Sequence, residues 1–327
     1  GGSYRLHQDF WEDDLVTRAA AIDRLEGLAN ERPDAAPRIA RQLSVYVREL
    51  SREYPAQNPP KDAPPEVLRD WSHGLTLARP DLQRAAQSLG RLQEIEAAPL
   101  VPGDIDLREA NLQGFDLRGL RFEKALFQKV RMEGTDLSEA HLAGSDFFFA
   151  HLEGADFIGA HLEEANLLAV HLEKADLVGA HLEGANLRGA RLERANLLGA
   201  HLEGADLIRA HLERAHLSEA HLEGANLLGA HLEGANMTEV QLDDATSIWR
   251  LSLHGAAVRA VDETTIEQLR PVWADIFADG SVPVPLDDPN RPGHWPRQAL
   301  HPGTFHEEWH RWCAEKENYG PPKEPDG

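Results

Sequence analysis

The chain has 327 residues, which is long enough for two or three domains. Its 55 acidic residues against 33 basic ones give a formal net charge of −22, which argues against direct binding to nucleic acid or to an anionic membrane. The single cysteine, Cys313, excludes an internal disulfide bond, and no run of 18 apolar residues exists that could span a bilayer.

Residues 4–97 predict helices. The apolar residues of the first helix share one face: Trp11, Leu15, Ile22, Leu25 and Leu28. A second amphipathic helix follows Pro33 and carries Ile39, Leu43, Tyr46 and Leu50. After a Pro-rich loop at 55–65, two shorter helices are predicted near 66–77 and 81–96, and the latter carries Leu82, Leu89 and Leu92. Such helices are stable only when they pack on one another or on the rest of the chain.

A five-residue periodicity dominates the middle of the chain. From Ile105 to Asp244 every fifth residue is apolar, and 140 residues at five per unit give 140/5 = 28 units. This period fits neither a helix nor a strand and predicts a solenoid that turns a corner every five residues and places two side chains inside. Several early units have a larger or polar residue where the later ones have Ala, so we expect less regular first coils; these residues are Phe115, Leu120, Val130, Thr135 and Ser145.

Units such as Ala155-Asp156-Phe157 and Ala225-Asn226-Leu227 resemble the pentapeptide-repeat family, with its A(D/N)LXX pattern. The resemblance implies a mainly β fold, a right-handed quadrilateral β-helix with four units per coil and therefore 28/4 = 7 coils. The central residues from Leu107 to Leu242 and the small residues before them should then fill the interior and leave no pocket.

The flanking segments, including IDLREANLQG at 105–114, resemble a bacterial subgroup of that family with an N-terminal helical module. Members of the subgroup often begin with membrane-spanning helices, which this chain lacks. Two explanations stay open. The opening Gly1-Gly2-Ser3 is typical of a segment left by cloning, so an anchor upstream of residue 1 was removed, or this member has no anchor. The protein is accordingly expected in the cytoplasm or, with an anchor, on the cytoplasmic face of the membrane.

The sequence therefore predicts three domains: an α-helical module at 1–100, the β-helix at 101–245, and a C-terminal capping segment at 246–327. The last segment should contain a helix near 265–278 and a Pro-rich stretch at 283–303. A final helix is expected to begin with a T-x-x-E capping box from Thr304 to Glu307.

Because four units make one coil, side chains twenty residues apart should stack in columns. Two such columns are rich in histidine: His141, His161, His181, His201 and His221 form one, and His151, His171, Arg191, His211 and His231 form the other. Glutamates form columns beside them, such as Glu153, Glu173, Glu193, Glu213 and Glu233. Three interpretations compete: a solvated surface where His relieves Glu–Glu repulsion, a pH-responsive surface that titrates near pH ~6–7, and a metal array. Imidazoles in a straight column at ~4.8 Å argue against the array, because they do not surround an ion.

The other two faces carry outward apolar residues, which we designate the outer stripes: Phe148, Leu168, Ile208 and Leu228 in one, and Ile158, Val178 and Leu198 in the other. Scattered surface aliphatics need no explanation, but stacked ones form a candidate interaction surface. Our hypothesis is that the N-terminal helices or the C-terminal segment cover one stripe. The other stripe would be free for a protein partner or a second copy of the chain.

The last predicted helix contains the H-E-x-x-H motif of zinc proteases at residues 306–310. His306, His310 and Cys313 would share one face and are weak candidates for metal ligands. Short strings of this kind arise by chance in a chain with 17 His and many Glu, and a filled solenoid offers no substrate cleft. We therefore expect neither catalytic residues nor a cofactor. Trp309 and Trp312 are expected to cap the end of the rod or to pack under the Pro-rich segment.

Two functions follow. The first is a non-enzymatic scaffold that binds a protein partner of unknown identity, or a second copy of itself, through flat ladders on a rigid rod. The alternative is a DNA mimic that binds a DNA-processing enzyme such as gyrase, because some pentapeptide-repeat proteins resemble duplex DNA in width and charge. An enzyme is the least favoured class.

Overall fold

The computed structural model describes residues 2–54, 56–60, 67, 70–71, 74–75, 79–248, 251–261, 263–279, 281–284, 288–316 and 318–322, with side chains from Leu15 onward. The chain divides into two compact units, Gly1–Ala175 and Asp176–Gly327. The first unit contains the N-terminal helices and the start of the repeat, and the second contains the rest of the repeat and the C-terminal elements.

The first unit begins with three α-helices: α1 (Gly2–Glu31), α2 (Ala36–Ser51) and α3 (Pro80–Leu92), with a short 3₁₀ helix at Pro33–Ala35 before α2. Helices α2 and α3 each have a proline in their first turn, where a missing N–H costs no hydrogen bond. The helix predicted near 66–77 lies largely outside the described residues.

The three helices pack around an apolar core, as predicted. The residues that the sequence places on the inner faces and that are almost completely buried are Ile22, Ile39, Leu43, Leu82, Leu89 and Leu92. Leu28 departs from the prediction: it is 42% exposed, and its neighbour Ala29 is buried instead. Trp11 lies in the part of α1 whose side chains fall outside the described set.

From residue 105 the first unit winds into a β-helix-like spiral. Isolated parallel bridges join residues twenty apart, beginning with Asp106 and Leu126, so that four five-residue units complete one turn. The backbone N–H of His161 donates to the carbonyl of Ala140 at 2.9 Å, and the His161 carbonyl accepts from the backbone N–H of Leu142 at 2.7 Å. The central Leu or Phe of each unit is buried, and the Phe127 and Phe147 rings stack 4.7 Å apart inside the spiral.

The early coils are regular, so our expectation of irregular ones was wrong. The same bridge spacing holds from Asp106 onward. Polar residues fit the small inward position because they find backbone partners: the Thr135 hydroxyl donates to the Leu112 carbonyl at 2.8 Å, and the Ser145 hydroxyl donates to the Leu142 carbonyl at 2.6 Å. Leu120 is the exception, since it is only partly buried.

The chain turns each corner through a residue with positive φ. Gly154 at φ 64° needs no side-chain accommodation there. The same conformation is also held by non-glycine residues, among them Glu164 at φ 57° and Phe149 at φ 54°. A bulky side chain in this region is uncommon. The coil's hydrogen bonds therefore impose the corner geometry even where the residue does not favour it.

Helices α2 and α3 complete the edge of the first coil. The N–H groups of Asp106, Asn111 and Asp116 occupy positions that, in the following coils, donate to a carbonyl one coil earlier. Here side-chain oxygens of the helical module accept instead: Ser44 from Asp106 (3.2 Å), Ser51 from Asn111 (3.0 Å) and Gln83 from Asp116 (3.2 Å). Such pairing protects an edge that would otherwise be open to another chain.

Two ion pairs and one close approach hold α2 and α3 on the same edge. Arg41 pairs with Asp104 at 2.5 Å, and Arg48 pairs with Asp106 at 2.6 Å. Gly90 of α3 lies so near the coil that a Cβ atom built on it would fall 2.7 Å from the Cβ of Leu120. The helical module thus lies against the first coil of its own unit.

The second unit continues the same pattern of bridges, for example between His181 and His201. Near residue 245 one residue is inserted, because Asn226 bridges Ser247 and His231 bridges Ser252, each pair 21 apart. Strand β1 (Asn236–Thr238) then pairs in parallel with β2 (Ala257–Arg259). A last bridge joins Ala257 to Phe277, so pairing of this kind extends beyond the predicted boundary at 245.

The C-terminal elements differ from the prediction at two places. A single helix was expected near 265–278, but the structure has a short α4 (Glu263–Gln268) and a 3₁₀ helix at Arg270–Asp275. Pro271 lacks the N–H that a continuing helix would need. The last helix, α5 (Pro302–Ala314), begins before the predicted Thr304 cap, because Pro302 occupies the first turn and the His301 ring accepts from the Gly303 N–H at 3.4 Å.

Helix α5 packs on the end of the second unit. Trp309 and Trp312 are buried in a cluster with Phe277, Leu300 and Phe305, and the Trp309 indole donates to the Gly255 carbonyl at 2.9 Å. The sequence left two positions open for the tryptophans, and both contacts are present, because Trp312 also stacks at 4.8 Å on His294 of the Pro-rich stretch. Among the described residues, no helix combines the length and the apolarity needed to cross a membrane.

Candidate functional site

The histidine columns predicted from the sequence are present in the first unit as stacked rings. His141 and His161 lie with their centroids 4.8 Å apart and their planes 2° from parallel. His151 and His171 are 4.6 Å apart, but their planes are tilted by 24°. Each of these pairs follows an arginine one coil earlier, Arg121 in one column and Arg131 in the other.

The second unit repeats the arrangement. His181 stacks on His201 and His201 stacks on His221, both at 4.8 Å, and His211 stacks on His231 at 4.9 Å. Arg191 bridges His211 and thus takes the place of a histidine in that column. Within each unit the columns therefore stack as the twenty-residue spacing predicts.

A glutamate two residues later accompanies most of these histidines. The Nδ1 atom lies 3.3 Å from Glu153 Oε1 at His151, 3.3 Å from Glu203 Oε1 at His201 and 3.2 Å from Glu213 Oε1 at His211. The second oxygen, Oε2, of Glu153, Glu203 and Glu213 is buried and has no hydrogen-bond partner among the described residues. Each carboxylate thus has one satisfied and one unsatisfied oxygen.

Some glutamates also lie near the histidine of the next coil. Glu153 Oε1 is 3.3 Å from His151 Nδ1 and 3.9 Å from His171 Nδ1, so that it lies near both rings. In the second unit, His201, Glu203 and His221 likewise place one ligand atom each within 4.8 Å of one another. We call these two groups the His–Glu–His triads. The sequence offered a metal array as one interpretation because His and Glu are both good ligands, and the argument against it rested on the straight imidazole column; the structure adds a carboxylate oxygen close to both Nδ1 atoms.

His141 lacks such a glutamate, because residue 143 is Ala. Burial lowers the pKa of His141, the positive charge of Arg121 lowers it further, and the nearby carboxylates of Glu123 and Glu163 oppose this. The neutral imidazole is therefore favoured at this position. The ladders thus contain one histidine without a glutamate two residues later, close to others that have one.

The outer-stripe residues of the first unit are partly exposed. Ile158 is 42% exposed, and Phe148 and Leu168 are half-buried. Sequence reasoning missed Phe149, which is 45% exposed and whose ring meets that of Phe148 edge-on at 4.4 Å. A corner position was assumed to favour glycine, so its side chain was not considered. We call Phe148, Phe149 and Leu168 the apolar patch, while Ile158 belongs to the other outer stripe.

The outer-stripe residues of the second unit are also partly exposed, and none of them is buried: Val178, Leu198, Ile208 and Leu228. The described contacts of α2 and α3 with the repeat involve the first coil and its edge, as with Ser51 and Asn111. The outer-stripe residues of both units thus keep part of their side-chain surface exposed, and the coverage of one stripe by the N-terminal helices or the C-terminal segment stays a prediction.

His306, His310 and Cys313 lie on one side of α5, as predicted. The two imidazole Nε2 atoms are 2.9 Å apart, whereas the thiol of Cys313 points to the Gly255 carbonyl at 3.6 Å. Burial raises the pKa of this thiol, and burial together with His306 lowers the pKa of His310. Among the described residues, this trio does not form a group with all three ligand atoms within 4.8 Å.

The same residues line a groove of about 910 Å³ within the second unit. Its other polar side chains include His216, His254 and Lys316, which the sequence did not bring together. The Lys316 ammonium lies 2.9 Å from His254 Nε2. Burial lowers the pKa of His216. The groove is therefore lined by acidic, neutral and basic groups, including Glu233 and Arg214, and its described residues do not form a set of convergent metal ligands.

Comparison with known families gives one match. Residues 105–144, 145–184, 175–214, 185–224 and 215–246 match the family described as pentapeptide repeats. No curated protein sequence matches the chain.

Several solved structures are similar to the chain. HetL, a pentapeptide repeat protein of the cyanobacterium Nostoc involved in heterocyst differentiation regulation, is 27% identical, with a TM-score of 0.46 over 54% of this chain and 81% of HetL. QnrB1, a plasmid-mediated fluoroquinolone resistance protein, is 18% identical, with a TM-score of 0.28 over 51% of this chain and 95% of that protein. A pentapeptide repeat protein of the Arabidopsis thaliana thylakoid lumen is 30% identical, with a TM-score of 0.21 over 34% of this chain and 78% of that one.

Proposed function

We propose that this chain is a non-enzymatic protein-interaction module that binds a protein partner through the outer faces of its repeats. The chain belongs to the pentapeptide-repeat family through residues 105–246, and this membership supports the proposal. Under this proposal the apolar patch of the first unit is the main contact. The outer-stripe residues of the second unit, Val178, Leu198, Ile208 and Leu228, form a further contact surface of that unit under the same proposal.

The observation that carries the proposal is the contrast between the inside and the outside of the repeat. Inward residues such as Leu152 and Phe157 are completely buried and fill the spiral, which leaves binding to the outer side chains. On the outside, Phe149 is an exposed large apolar residue, and its ring meets that of Phe148 at 4.4 Å. Exposed aromatic and aliphatic side chains that lie together are typical anchors of protein interfaces.

Phe149 supports the proposal for a second reason. Its backbone has φ 54°, a conformation that costs a residue other than glycine about 1–2 kcal/mol. An exposed phenylalanine at such a corner is unfavourable both for the backbone and for contact with water. Strain of this kind is often associated with functional positions.

DNA mimicry toward an enzyme such as gyrase is the competing proposal, and the net charge of −22 favours it. The pairing of Glu133 with Arg131 and of Glu193 with Arg191 counts against it, because the guanidinium groups offset carboxylate charge that a DNA-binding surface would recognise. We therefore place it second.

The test compares partner capture by the full chain and by two variants. The double variant Phe149→Asp, Leu168→Asp disrupts the apolar patch, and Ala143→Glu is the charge control, because it adds a glutamate where most repeats already have one. Proteins cross-linked to the wild type and to the control, but not to the double variant, support the proposal. Identical profiles and identical sedimentation for all three contradict it, and inhibition of gyrase supercoiling by all three favours the mimic.

The same proposal includes a right-handed spiral of seven coils and three domains at 1–100, 101–245 and 246–327. It also includes a cytoplasmic location and self-association of the chain. The apolar patch would serve a second copy of the chain as well as a different partner. Sedimentation of the purified chain distinguishes those two cases.

A further inference from the structure

We infer that the two His–Glu–His triads are binding sites for a divalent transition-metal ion of the Zn²⁺ class. The triads are His151, Glu153 and His171 in the first unit, and His201, Glu203 and His221 in the second. Two imidazoles and one carboxylate are a ligand set that such ions bind in proteins.

The distances in the first triad support this assignment. Glu153 Oε1 lies 3.3 Å from one Nδ1 atom and 3.9 Å from the other, and all three ligand atoms lie within 4.8 Å of one another. A point equidistant from the corners of such a triangle is about 2.4 Å from each, while Zn–N and Zn–O bonds are roughly 2.0–2.2 Å. Side-chain shifts of a few tenths of an ångström would therefore bring all three ligands to bonding distance.

The imidazole rings of the first triad are less parallel than those of the second. The planes of His151 and His171 are tilted by 24°, whereas the planes of the other stacked pairs are within 7° of parallel. Imidazole lone pairs lie in the ring plane, so both rings must still rotate to aim Nδ1 at one ion beside Glu153, and His171 Nδ1 must leave Glu173 Oε1, from which it is 3.6 Å. The second triad, with its parallel rings, would have to rotate further, so we expect it to bind more weakly.

The glutamates supply a second observation, which the triads share with other glutamates of the repeat such as Glu213 and Glu233. Oε2 of Glu153 and of Glu203 is buried without a hydrogen-bond partner among the described residues. A buried carboxylate oxygen in that state is unfavourable. A bound cation would compensate for this by neutralising the carboxylate. Arg131, one coil before His151, does not compete for Glu153 in the structure, because it pairs with Glu133.

The repeat explains why the ligands converge. The histidine and the glutamate two residues later belong to one five-residue unit, and the second histidine comes from the unit twenty residues on. The rigid coil spacing thus holds the second imidazole near the carboxylate of the first. The solvent-facing side of the triad leaves coordination positions for water or for a ligand atom from a partner.

The experiment measures Zn²⁺ binding to the full chain by equilibrium dialysis after treatment with a chelator. We expect at least two equivalents to bind the wild type, and Glu153→Gln to lose the tighter one. His141→Asn is the matched control, because His141 lies in a ladder but has Ala143 instead of a glutamate, and it should bind as the wild type does. Circular dichroism confirms that each variant is folded.

A double variant, His306→Asn with His310→Asn, tests the other histidine cluster. Unchanged binding in this variant, together with the loss in Glu153→Gln, supports the triads. Binding that disappears in the double variant but persists in Glu153→Gln overturns the inference, as does the absence of binding by the wild type. Equal losses in Glu153→Gln and His141→Asn would also overturn it, since that indicates unspecific binding to surface histidines.

Discussion

The hydroxyl oxygen of Ser51 accepts a 3.0 Å hydrogen bond from the backbone N–H of Asn111, while the same hydroxyl donates to the Arg48 carbonyl at 3.1 Å. In the following coils the equivalent N–H donates to a carbonyl one coil earlier, as Arg131 does to Ala110. The Ser51 hydroxyl of α2 therefore supplies the acceptor that a backbone carbonyl supplies in the later coils.

Replacement of Ser51 by alanine should destabilise the first unit. It leaves the Asn111 N–H without its acceptor at a site where Ser51 is almost completely buried. We expect a loss of about 1–3 kcal/mol in the free energy of unfolding, measured by urea denaturation. Ser138→Ala is the control, because Ser138 is only partly buried and bonds to Asp136 within its own corner, so that its loss should be within about 0.5 kcal/mol.

Alanine substitutions at two helical glycines should have opposite effects. At Gly90 the new Cβ would lie 2.7 Å from Leu120 Cβ and 3.2 Å from the Phe122 ring, so Gly90→Ala must separate α3 from the first coil. We expect a net destabilisation of about 1–3 kcal/mol. At Gly27 of α1 a Cβ would meet nothing within 4 Å, so Gly27→Ala should stabilise by about 0.5–1 kcal/mol. Equal effects in thermal unfolding would refute the close approach of Gly90.

Acid should weaken the contact between α2 and the repeat. Hydrogen bonds from Arg108 lower the pKa of Asp106 to about 2, burial opposes this, and Arg48 of α2 lowers the pKa further. The unfolded carboxyl has a pKa of about 3.9. Because the folded pKa is the lower one, the stabilisation is fully present above pH ~4 and is lost as the pH falls toward 2.

The measurement is the free energy of unfolding between pH 2 and 5 for the wild type and for Asp106→Asn. The variant lacks this carboxyl, so the difference between the two proteins should be largest above pH ~4 and should shrink below it. A difference that stays constant over this interval would show that Asp106 does not contribute.

Glycine at a non-glycine corner should stabilise the repeat. Glu139 is exposed and has φ 59°, so Glu139→Gly removes about 1 kcal/mol of backbone strain without loss of a buried side chain. Glu96→Gly, at an exposed turn position without positive φ, should give no stabilisation. If both variants unfold at the same denaturant concentration, the corner at Glu139 is unstrained.

The five-residue period was sufficient to predict the repeat, its filled interior and the stacked columns. This is because the coil spacing converts sequence separation directly into position: His141 and His161 stack because they are twenty residues apart. The helix bounds at the C-terminus were less predictable. Pro302 moved the start of α5 ahead of the capping box at Thr304, a case in which one local signal overrides another.

Contacts between distant parts of the chain could not be read from the period. Nothing in the sequence shows that Ser51 meets Asn111, because the loop between them and the packing of α3 set that contact. The triads were missed for a different reason. Considering one column at a time separates His171 from Glu153, although the distance between them is 3.9 Å. Phe149 was missed because corners were assumed to be glycine.

The filled spiral and the proposed functions of its outer faces both require that the inward residues are buried and the outward residues are accessible. The most direct measurement is the rate of thiol labelling in a Cys313→Ser background for two single-cysteine variants, Leu152→Cys and Ile158→Cys. Leu152 is completely buried and Ile158 is 42% exposed, so we expect fast labelling at 158 and labelling at 152 only when the protein unfolds. Comparable rates at the two positions under native conditions would contradict the filled spiral and the functions assigned to its outer faces.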